Sequence, residues 1–503
     1  MPNQENKPSA RELDSASPLK THLVSSDSNI VALVEKYLEK IKKSSHSTRF
    51  PESKVRSQLL VLICNLIWVN RKNNQWIYQG RGKPSFSHTR YFHTLTHDIF
   101  VKRILNNLVA LGLIEQHIGF RKLTKTKLTR IRARGILKRD VTRIASPTIC
   151  VREDFEIIQV QKTIKSWFDV KTRKTVKVKA KFDYVDTVET RRKRANLKQI
   201  NKKIEGTFLG LWIKDTDYKK LYKNLKKKEK HEFNLNEKFL VRIFNDTNFQ
   251  LGGRFYHGWW QALPRVYRPY ITINHQVVAE LDYKHLHPAL MYSKIGCTEL
   301  PLNFDSYTLD VKGFGPRHRA AIKQTFQCLI NTDSEKSALS AIKSKGLSAL
   351  FPFGPRVLMD QLIEKHAPIS EMFFDSDLGK KLQRIDSDIA EYCMLEMLNS
   401  HKTLVLPVHD SFIVQQDMIT VLQEVMSTAY KHFTDNKIAI DEKGFTLWHP
   451  FDRLSCDDLE HYKRYEEQSS WFLKKHSKES NLPFMPPDVF PEDLLSAEYI
   501  DEL

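Results

Sequence analysis

Two aspartates each follow an apolar stretch that is typical of a buried strand. Asp282 follows the run 277–281, and Asp410 stands in a His-Asp pair between the apolar runs 404–408 and 412–414. The first pattern predicts a carboxylate at a strand end, and the second predicts one at the tip of a β-hairpin. A turn aspartate that bonds its own backbone is the alternative for either position. Two such carboxylates together could hold two Mg²⁺ ions for phosphoryl transfer, with Mn²⁺ as the alternative metal.

Two basic side chains have a spacing that brings them to one face of a helix. Arg319 and Lys323 are four residues apart, and side chains four apart lie on the same side of an α-helix. Two cations on one face can clamp a triphosphate and neutralise the charge that develops on a pyrophosphate leaving group. A surface helix with salt bridges is the alternative.

A glycine-rich segment precedes the first of these aspartates. Gly252, Gly253 and Arg254 are followed by two aromatic residues. Glycines beside an arginine and aromatic rings allow a nucleic-acid backbone to approach closely. A purely structural hairpin explains the same residues, so both interpretations stay open.

The composition indicates a folded protein that meets a polyanion. The chain has 503 residues, of which 41% are hydrophobic, and this excludes global disorder and predicts two or three domains. Its net charge of +21 and pI of about 9.5 favour nucleic acid or an acidic membrane surface. Because no apolar run reaches the roughly 18 residues that span a bilayer, we expect nucleic acid and no membrane. Six scattered cysteines without a CxxC pair are typical of reduced thiols in a cytoplasmic protein.

The N-terminal part of the chain has the element order of a winged helix. An apolar helix is predicted over 55–69, and a second helix follows a Thr96 cap with Leu111 on its buried side. Strands over 113–118 and 128–134, separated by a basic turn, predict a β-hairpin. In a winged helix the second helix enters a nucleic-acid groove and the hairpin touches phosphate. A small helical subdomain that only packs on the rest of the chain is the alternative.

A strongly basic block spans residues 160–232. Its densest run is Arg191, Arg192, Lys193 and Arg194. Such a block repels itself unless an anion neutralises it, so it predicts contact with a nucleic-acid backbone. A solvated helical face is the alternative.

In their order along the chain, these segments resemble the palm and fingers of family A DNA polymerases and of phage-type single-subunit RNA polymerases. The resemblance covers residues 248–434. It rests on motif A at Asp282-Tyr283 with Leu286, the motif B helix at Arg319 and Lys323, and motif C at His409-Asp410. The segments Gly253-Arg254 and 261–264 are similar to the template-primer contact region that precedes motif A.

The resemblance implies a role for each matched residue. Asp282 and Asp410 would be the metal ligands, and Lys323 would act with them as a catalytic residue. The implied nucleotide contacts are Arg319, Lys323, Tyr283, His287, Phe326 and Asn331. The implied nucleic-acid contacts are Arg254, Gln261, His409 and Gln383, beside the basic cluster of Arg191, Arg192, Lys193 and Arg194.

The role of Gln383 depends on an amphipathic helix that is predicted to run from Gln383 to Leu398. A similarly placed helix lines the primer minor groove in family A. Helix capping by Asp386 or Ser387 explains the polar residues equally well.

Two positions leave the sugar preference open. His287 stands five residues after Asp282, where the DNA enzymes carry a Glu that crowds the sugar 2′ position, and Asn331 stands where the family carries a Tyr. Ser411-Phe412 is similar to the RNA polymerases, whereas Asp282-Tyr283 is similar to the DNA polymerases.

We therefore expect an α+β chain with a right-hand polymerase palm, built on an antiparallel sheet, and helical fingers. The expected divisions are a disordered leader with a first helix at 1–50, a winged-helix-like module at 51–145, a basic thumb-like bridge at 146–235, palm and fingers at 236–450 and an acidic extension at 451–503.

The expected function is template-directed nucleotidyl transfer that uses two Mg²⁺ ions. The favoured form is a DNA-directed DNA polymerase that acts on a DNA primer-template and nucleoside triphosphates in plasmid, phage or mobile-element replication. One alternative is a single-subunit RNA polymerase or a primer-synthesising enzyme, with RNA as a partner. The alternative of another class is a non-catalytic DNA-binding protein with a degenerate palm.

Overall fold

The chain divides into two compact units, Met1–Glu156 and Ile157–Leu503. The computed structural model describes residues 8–45, 50–70, 75–86, 90–91, 95–121, 126–144, 149–169, 174–227, 235, 238–297, 304–443 and 469. The expected acidic extension at 451–503 lies outside the described residues except at position 469. No described helix has both the length and the apolar character to cross a membrane.

The first unit combines helices with short strands. Its helices are α1 (Ala10–Asp14), α2 (Ser28–Ser44), α3 (Glu52–Asn70), α4 (Asn106–Ala110), which continues a π-helical segment at Asp98–Leu105, and α5 (Gly135–Arg143). Its strands are β1 (Ser17–Pro18), β2 (Leu23–Val24), β3 (Ile77–Gln79), β4 (Ile114–His117), β5 (Phe120–Arg121), β6 (Thr126–Lys127), β7 (Thr129–Ala133) and β8 (Cys150–Val151).

Helix α3 forms the centre of the first unit. Every residue from Val61 to Val69 is buried, which is typical of a helix that other elements surround on all sides. Helix α2 packs on it with one apolar face that includes Ile30 and Tyr37. Asp27 begins α2 by accepting a hydrogen bond from the backbone N–H of Asn29 at 2.9 Å, as an N-cap does.

Both expected helices and the expected hairpin occur in this unit, with two local corrections. Strand β4 pairs with β7 in antiparallel register, and β3 pairs with β7 on its other side. Thr96 is not the helix cap, because its N–H and hydroxyl are both bonded to the side chain of Gln58 in α3. Leu111 is 40% exposed, because it follows the last helical residue and no longer lies on the buried face.

The second unit contains longer strands and most of the helices. Its strands are β9 (Ile158–Asp169), β10 (Lys174–Phe182), β11 (Leu209–Leu211), β12 (Val241–Phe244), β13 (Gly252–Tyr256), β14 (Ile271–Ile273), β15 (Gln276–Tyr283), β16 (Leu406–Val408), β17 (Ser411–Gln415) and β18 (Ile440–Lys443). Its helices are α6 (Val188–Glu205), α7 (Asp215–Lys227), α8 (Trp259–Ala262), α9 (Leu286–Lys294), α10 (Pro316–Leu329), α11 (Glu335–Ser344), α12 (Pro355–Lys365), α13 (Leu378–Asn399) and α14 (Ile419–Thr434).

Two sheets organise the second unit. One has the strand order β10-β9-β12-β13, and the other has the order β11-β14-β15-β17-β16, with β18 also paired to β15. Strand β15 is therefore central and pairs in antiparallel register with β14, β17 and β18. The unit thus combines helices with largely antiparallel sheets, and β15 carries one of the two candidate aspartates.

A buried arginine joins helix α13 to the first of these sheets. Arg242 of β12 is fully buried. Its guanidinium donates to Glu391 Oε2 at 2.8 Å and to Asp388 Oδ1 at 2.6 Å, both on α13. It also donates to the carbonyl oxygen of Gly253 at 2.8 Å. Because a buried charge is costly unless it is paired, these contacts fix α13 against β12 and β13.

We predict that Arg242→Met destabilises the second unit by about 3–5 kcal/mol, because two carboxylates lose their buried partner. The matched variant is Arg356→Met, whose side chain is 56% exposed and pairs with Glu335 and Asp360 on the surface. Such exposed pairs contribute little to stability, so its unfolding midpoint should stay near that of the wild type. Denaturant unfolding of all three proteins measures the effect, and equal midpoints for Arg242→Met and the wild type would contradict it.

Candidate active site

The pairing of β15 with β17 brings the two candidate aspartates together. Asp282 lies directly opposite Ser411 in the antiparallel register, and Asp410 immediately precedes Ser411. Val408 pairs with Ser411 across the hairpin, so His409 and Asp410 form a two-residue turn at its tip. The structure therefore contains both predicted elements, the strand that ends near Asp282 and the hairpin that carries Asp410.

The register of these strands is held by a buried glutamate. Glu280 lies two residues before Asp282 and therefore on the same face of β15. Its side chain is fully buried, accepts a hydrogen bond from Ser411 Oγ at 2.7 Å and pairs with Arg268 at 2.9 Å. A slip of one residue would move Asp282 to the other face of the sheet, so this contact fixes the position of the catalytic candidate.

The hairpin tip contains a backbone conformation that is unusual for its residue type. His409 has a φ of 61°, in the left-handed region that non-glycine residues rarely adopt. Although the side chain keeps an exposed surface, partial desolvation lowers the pKa of its imidazole, and the positive charge of Arg254 lowers it further, against the opposing effect of Asp410. The ring also lies 6.1 Å from that of Tyr256, centroid to centroid. The tip is therefore held by its neighbours in a strained form, as often occurs at functional sites.

Tyr307 links the aspartates to helix α10. The side chain is buried, and burial raises the pKa of its hydroxyl. The negative charges of Asp410, Asp305 and Asp282 raise that pKa further, which indicates that these carboxylates lie near the phenol. Nothing in the sequence around Tyr307 marked it as a site residue, because its role comes from contacts between distant segments.

The two cations predicted on helix α10 lie over the same ring. The Arg319 guanidinium is 5.4 Å and the Lys323 ammonium 5.7 Å from the Tyr307 ring centroid. Arg319 also donates to Asp305 Oδ2 at 2.7 Å. Pro316 stands at the start of the helix, where its fixed φ suits the first turn. The structure therefore brings Arg319 and Lys323 to the side of Tyr307, near the two aspartates.

A second charged cluster adjoins the aspartates and connects three elements. Asp386 of α13 accepts hydrogen bonds from Arg254 of β13, including one from Nε at 3.0 Å. The Nε2 atom of His287, at the start of α9, is 3.1 Å from Asp386 Oδ2. Burial opposes the charge on Arg254, yet Asp386 and then Asp410 raise its pKa overall. Arg254 and His287 were predicted from the sequence, whereas Asp386 was considered only as a helix cap.

Asp386 and Ser387 are not helix caps. Helix α13 begins at Leu378, so both residues lie more than two turns inside it. Gln383 is half-buried and lies three residues before Asp386, which puts the two side chains on neighbouring positions of one helix face.

The donor set suits Mg²⁺ bound together with a phosphate ligand. Within the described ranges, no group of three or more His, Cys, Asp or Glu side chains is arranged to hold a metal by itself. Mg²⁺, however, is usually held by one or two carboxylates together with phosphate oxygens and water. Asp282 supplies one carboxylate from β15, and Asp410 supplies the other from the turn that precedes the paired strand β17. The residues present therefore fit a metal that arrives with its phosphate substrate.

Several residues that were predicted to contact the nucleotide are buried or bonded to other parts of the protein. Tyr283 is buried and donates to the carbonyl oxygen of Met426 at 2.7 Å, on the face of β15 opposite to Asp282. Phe326 is fully buried. Asn331 donates to the carbonyl oxygen of Gln327 at 2.9 Å.

Gln261 is likewise engaged with the backbone. Its Nε2 donates to the carbonyl oxygens of Phe255 and Pro407, each at 3.0 Å. Pro407 belongs to β16, so this amide ties the segment after β13 to the hairpin that carries Asp410.

The basic cluster on helix α6 separates into exposed and internal members. Arg191 and Arg192 are exposed. Lys193 is only 2% exposed and pairs with Glu189 at 3.1 Å and with Asp388 at 3.6 Å. Arg194 is half-buried and pairs with Asp186 at 2.7 Å. Only the first two therefore present their charge to solvent.

Comparisons with known proteins give little similarity. No protein-family model and no curated protein matches the sequence. Among solved structures, the chain is similar to the POL domain of Pol1 from M. smegmatis in complex with DNA primer-template and dNTP. The TM-score is 0.25 and the sequence identity 13%, over 41% of this chain and 47% of that chain. The chain thus spans about half the length of that structure.

Proposed function

We propose that this chain is a template-directed nucleotidyl transferase, specifically a DNA-directed DNA polymerase with a palm of the family A type. The observation that carries the proposal is the convergence of Asp282, Asp410 and the basic face of α10 on one buried tyrosine, Tyr307. A pair of carboxylates beside a pair of cations is the arrangement that phosphoryl transfer from a triphosphate needs.

In this mechanism Asp282 and Asp410 would hold two Mg²⁺ ions together with oxygens of the nucleotide. Such ions would supply Lewis acidity for activating the 3′ oxygen and for stabilising the leaving pyrophosphate. Lys323 and Arg319 bind the triphosphate, and their charges offset the negative charge that grows on the leaving group. Arg319 Nε donates a hydrogen bond to Asp305 Oδ2 at 2.7 Å, and this contact orients the guanidinium before the substrate binds.

The partners that follow from this proposal are a DNA primer-template and nucleoside triphosphates. The net charge of +21 and the exposed pair Arg191 and Arg192 suit a polyanionic substrate. We further propose that the first unit is a winged-helix-like DNA-binding module, on the basis of its α3, α4 and β4–β7 order.

The catalytic proposal predicts that Asp282→Ala and Asp410→Ala each abolish Mg²⁺-dependent primer extension. Loss of a metal ligand should lower kcat/KM by roughly 10²-fold or more, which is about 3 kcal/mol of transition-state stabilisation. Asp417→Ala is the matched control, because Asp417 is exposed and lies beyond the end of β17. Single-nucleotide incorporation and DNA-binding assays on folded proteins measure the effect, and normal incorporation by either site variant would overturn the mechanism.

The identity of the sugar is tested at His287. We propose that the His287 imidazole, 3.1 Å from Asp386 and 3.3 Å from Arg254, takes up the space that a ribose 2′ hydroxyl would need, so we expect the wild type to prefer dNTPs. His287→Ala should relax that preference by about 10-fold, since opening space in a pocket has an effect of this order. The measurement is kcat/KM for dATP and ATP on one primer-template, with the exposed His401→Ala as control.

A wild-type preference for ATP would assign the chain to RNA or primer synthesis and would leave the two-aspartate mechanism in place. In that case His287 binds the 2′ hydroxyl, and His287→Ala should lower kcat/KM for ATP more than kcat/KM for dATP.

A further inference from the structure

Asp386 is a fully buried carboxylate in the middle of helix α13. Burying a charge is unfavourable unless the group is paired and hydrogen-bonded. Asp386 meets this need with Arg254 of β13 and His287 of α9, two residues that belong to distant segments of the chain. Asp386 lies inside the helix and therefore has no capping role. We infer that its function is to bind Arg254 and His287.

The chemistry of these contacts orients both partners. Nε2 of His287 is 3.1 Å from Asp386 Oδ2 and 3.3 Å from Arg254 Nη2. A guanidinium only donates and a carboxylate only accepts, so Nε2 can bond one of the two, and donation to Asp386 is the assignment that pairs the buried carboxylate. Arg254 turns Nε and Nη2 towards Asp386. Its Nη1 has no hydrogen-bond partner among the residues that the structure describes, and so it can donate to a ligand.

The cluster lies next to the catalytic pair. Arg254 and Tyr256 are two residues apart on β13 and so lie on the same face of that strand. The Tyr256 ring is 6.1 Å, centroid to centroid, from the ring of His409 at the hairpin tip. His287 begins α9 only five residues after Asp282. Metal ions held by Asp282 and Asp410 would activate the 3′ hydroxyl of the primer strand. A cation and an imidazole at this place therefore face the end of the strand that is extended.

We propose that Asp386 is a positioning residue that holds Arg254 and His287 against the 3′ end of the primer strand. The proposal rests on the proposed polymerase function and adds to it a residue whose charge sets the geometry of the strand end. Asp386 acts through Arg254 and His287, and touches neither nucleotide nor metal. A misplacement of about 1 Å at such a contact can cost 10²-fold in rate.

Asp388 provides a matched control two residues further along α13. It is also an aspartate paired with arginine, but its partners are the buried Arg242 at 2.6 Å, Lys193 at 3.6 Å and Arg384, and not Arg254 or His287. Asp388→Asn should therefore lower the unfolding midpoint and leave the behaviour of the primer end as in the wild type.

The test uses the full chain and a primer-template with 2-aminopurine as the last primer base. Asp386→Asn should change the fluorescence of that base in the complex and lower the rate of single-nucleotide incorporation by roughly 10–100-fold. Overall DNA affinity, followed by anisotropy, should stay within about 2-fold, because one contact is a small part of a polyanion interface.

A mutant cycle in the Arg254→Ala, His287→Ala background separates positioning from general damage. If Asp386 acts through Arg254 and His287, Asp386→Asn should change the rate by less than about 3-fold in that background, because both partners are already removed. The double variant Arg254→Ala with Asp386→Ala removes both charges and leaves neither one buried without its partner. It therefore replaces Asp386→Asn in the comparison if that single variant does not fold. Additive effects in the cycle, or a terminus signal unchanged by Asp386→Asn, would overturn the proposal.

The two readouts distinguish this proposal from the function on which it rests. A wild-type protein that incorporates no nucleotide would overturn the proposed function. The fluorescence of the terminal base needs no catalysis, so it would still show whether Asp386 orders a bound primer end.

Discussion

The antiparallel pairing of β15 with β17 is the interaction on which the candidate site depends. It sets Asp282 opposite Ser411, and so beside Asp410 at the hairpin tip. The buried Glu280 fixes this register through Ser411 and Arg268. Side chains alternate between the two faces of a strand, so a register shift of one residue would put Asp282 on the face away from Asp410. The backbone hydrogen bonds of the sheet thereby place two carboxylates whose mutual repulsion would otherwise separate them.

Helix α13 performs the complementary task of positioning cations. Its carboxylates engage arginines from two neighbouring strands, Asp388 and Glu391 with Arg242 of β12, and Asp386 with Arg254 of β13. The first set holds the helix on the sheet. The second set ends beside the catalytic candidates. One helix therefore connects the stability of the second unit to the geometry of the proposed strand end.

Much of the site could be predicted from local patterns in the sequence. The apolar run before Asp282, the two apolar runs around Asp410 and the spacing of Arg319 and Lys323 each reflect the period of a single element, a strand or a helix. The elements at these places are β15, the β16–β17 hairpin and α10. Periodicity therefore identified the backbone that carries the candidates.

The remaining features depend on contacts between distant segments, which periodicity does not encode. Tyr307 gains its position from α10 and the aspartates, and Asp386 gains its role from β13 and α9. Lys193 belongs to a basic run by composition, yet its ion pair with Asp388 takes it into the interior. Thr96 resembles a helix cap in the sequence, but in the structure its backbone N–H donates to the side chain of the buried Gln58.

The most direct test of the central claim is to count and locate divalent ions at the two aspartates. Electron paramagnetic resonance of Mn²⁺ bound to the full chain, with a dideoxy-terminated primer-template and the next nucleotide, reports both number and separation. We predict two spin-coupled ions about 3.5–4 Å apart, present only with nucleotide and lost in Asp282→Asn and Asp410→Asn. A single uncoupled ion, or a pair that persists in both variants, would contradict the assignment of Asp282 and Asp410 as the metal-binding pair.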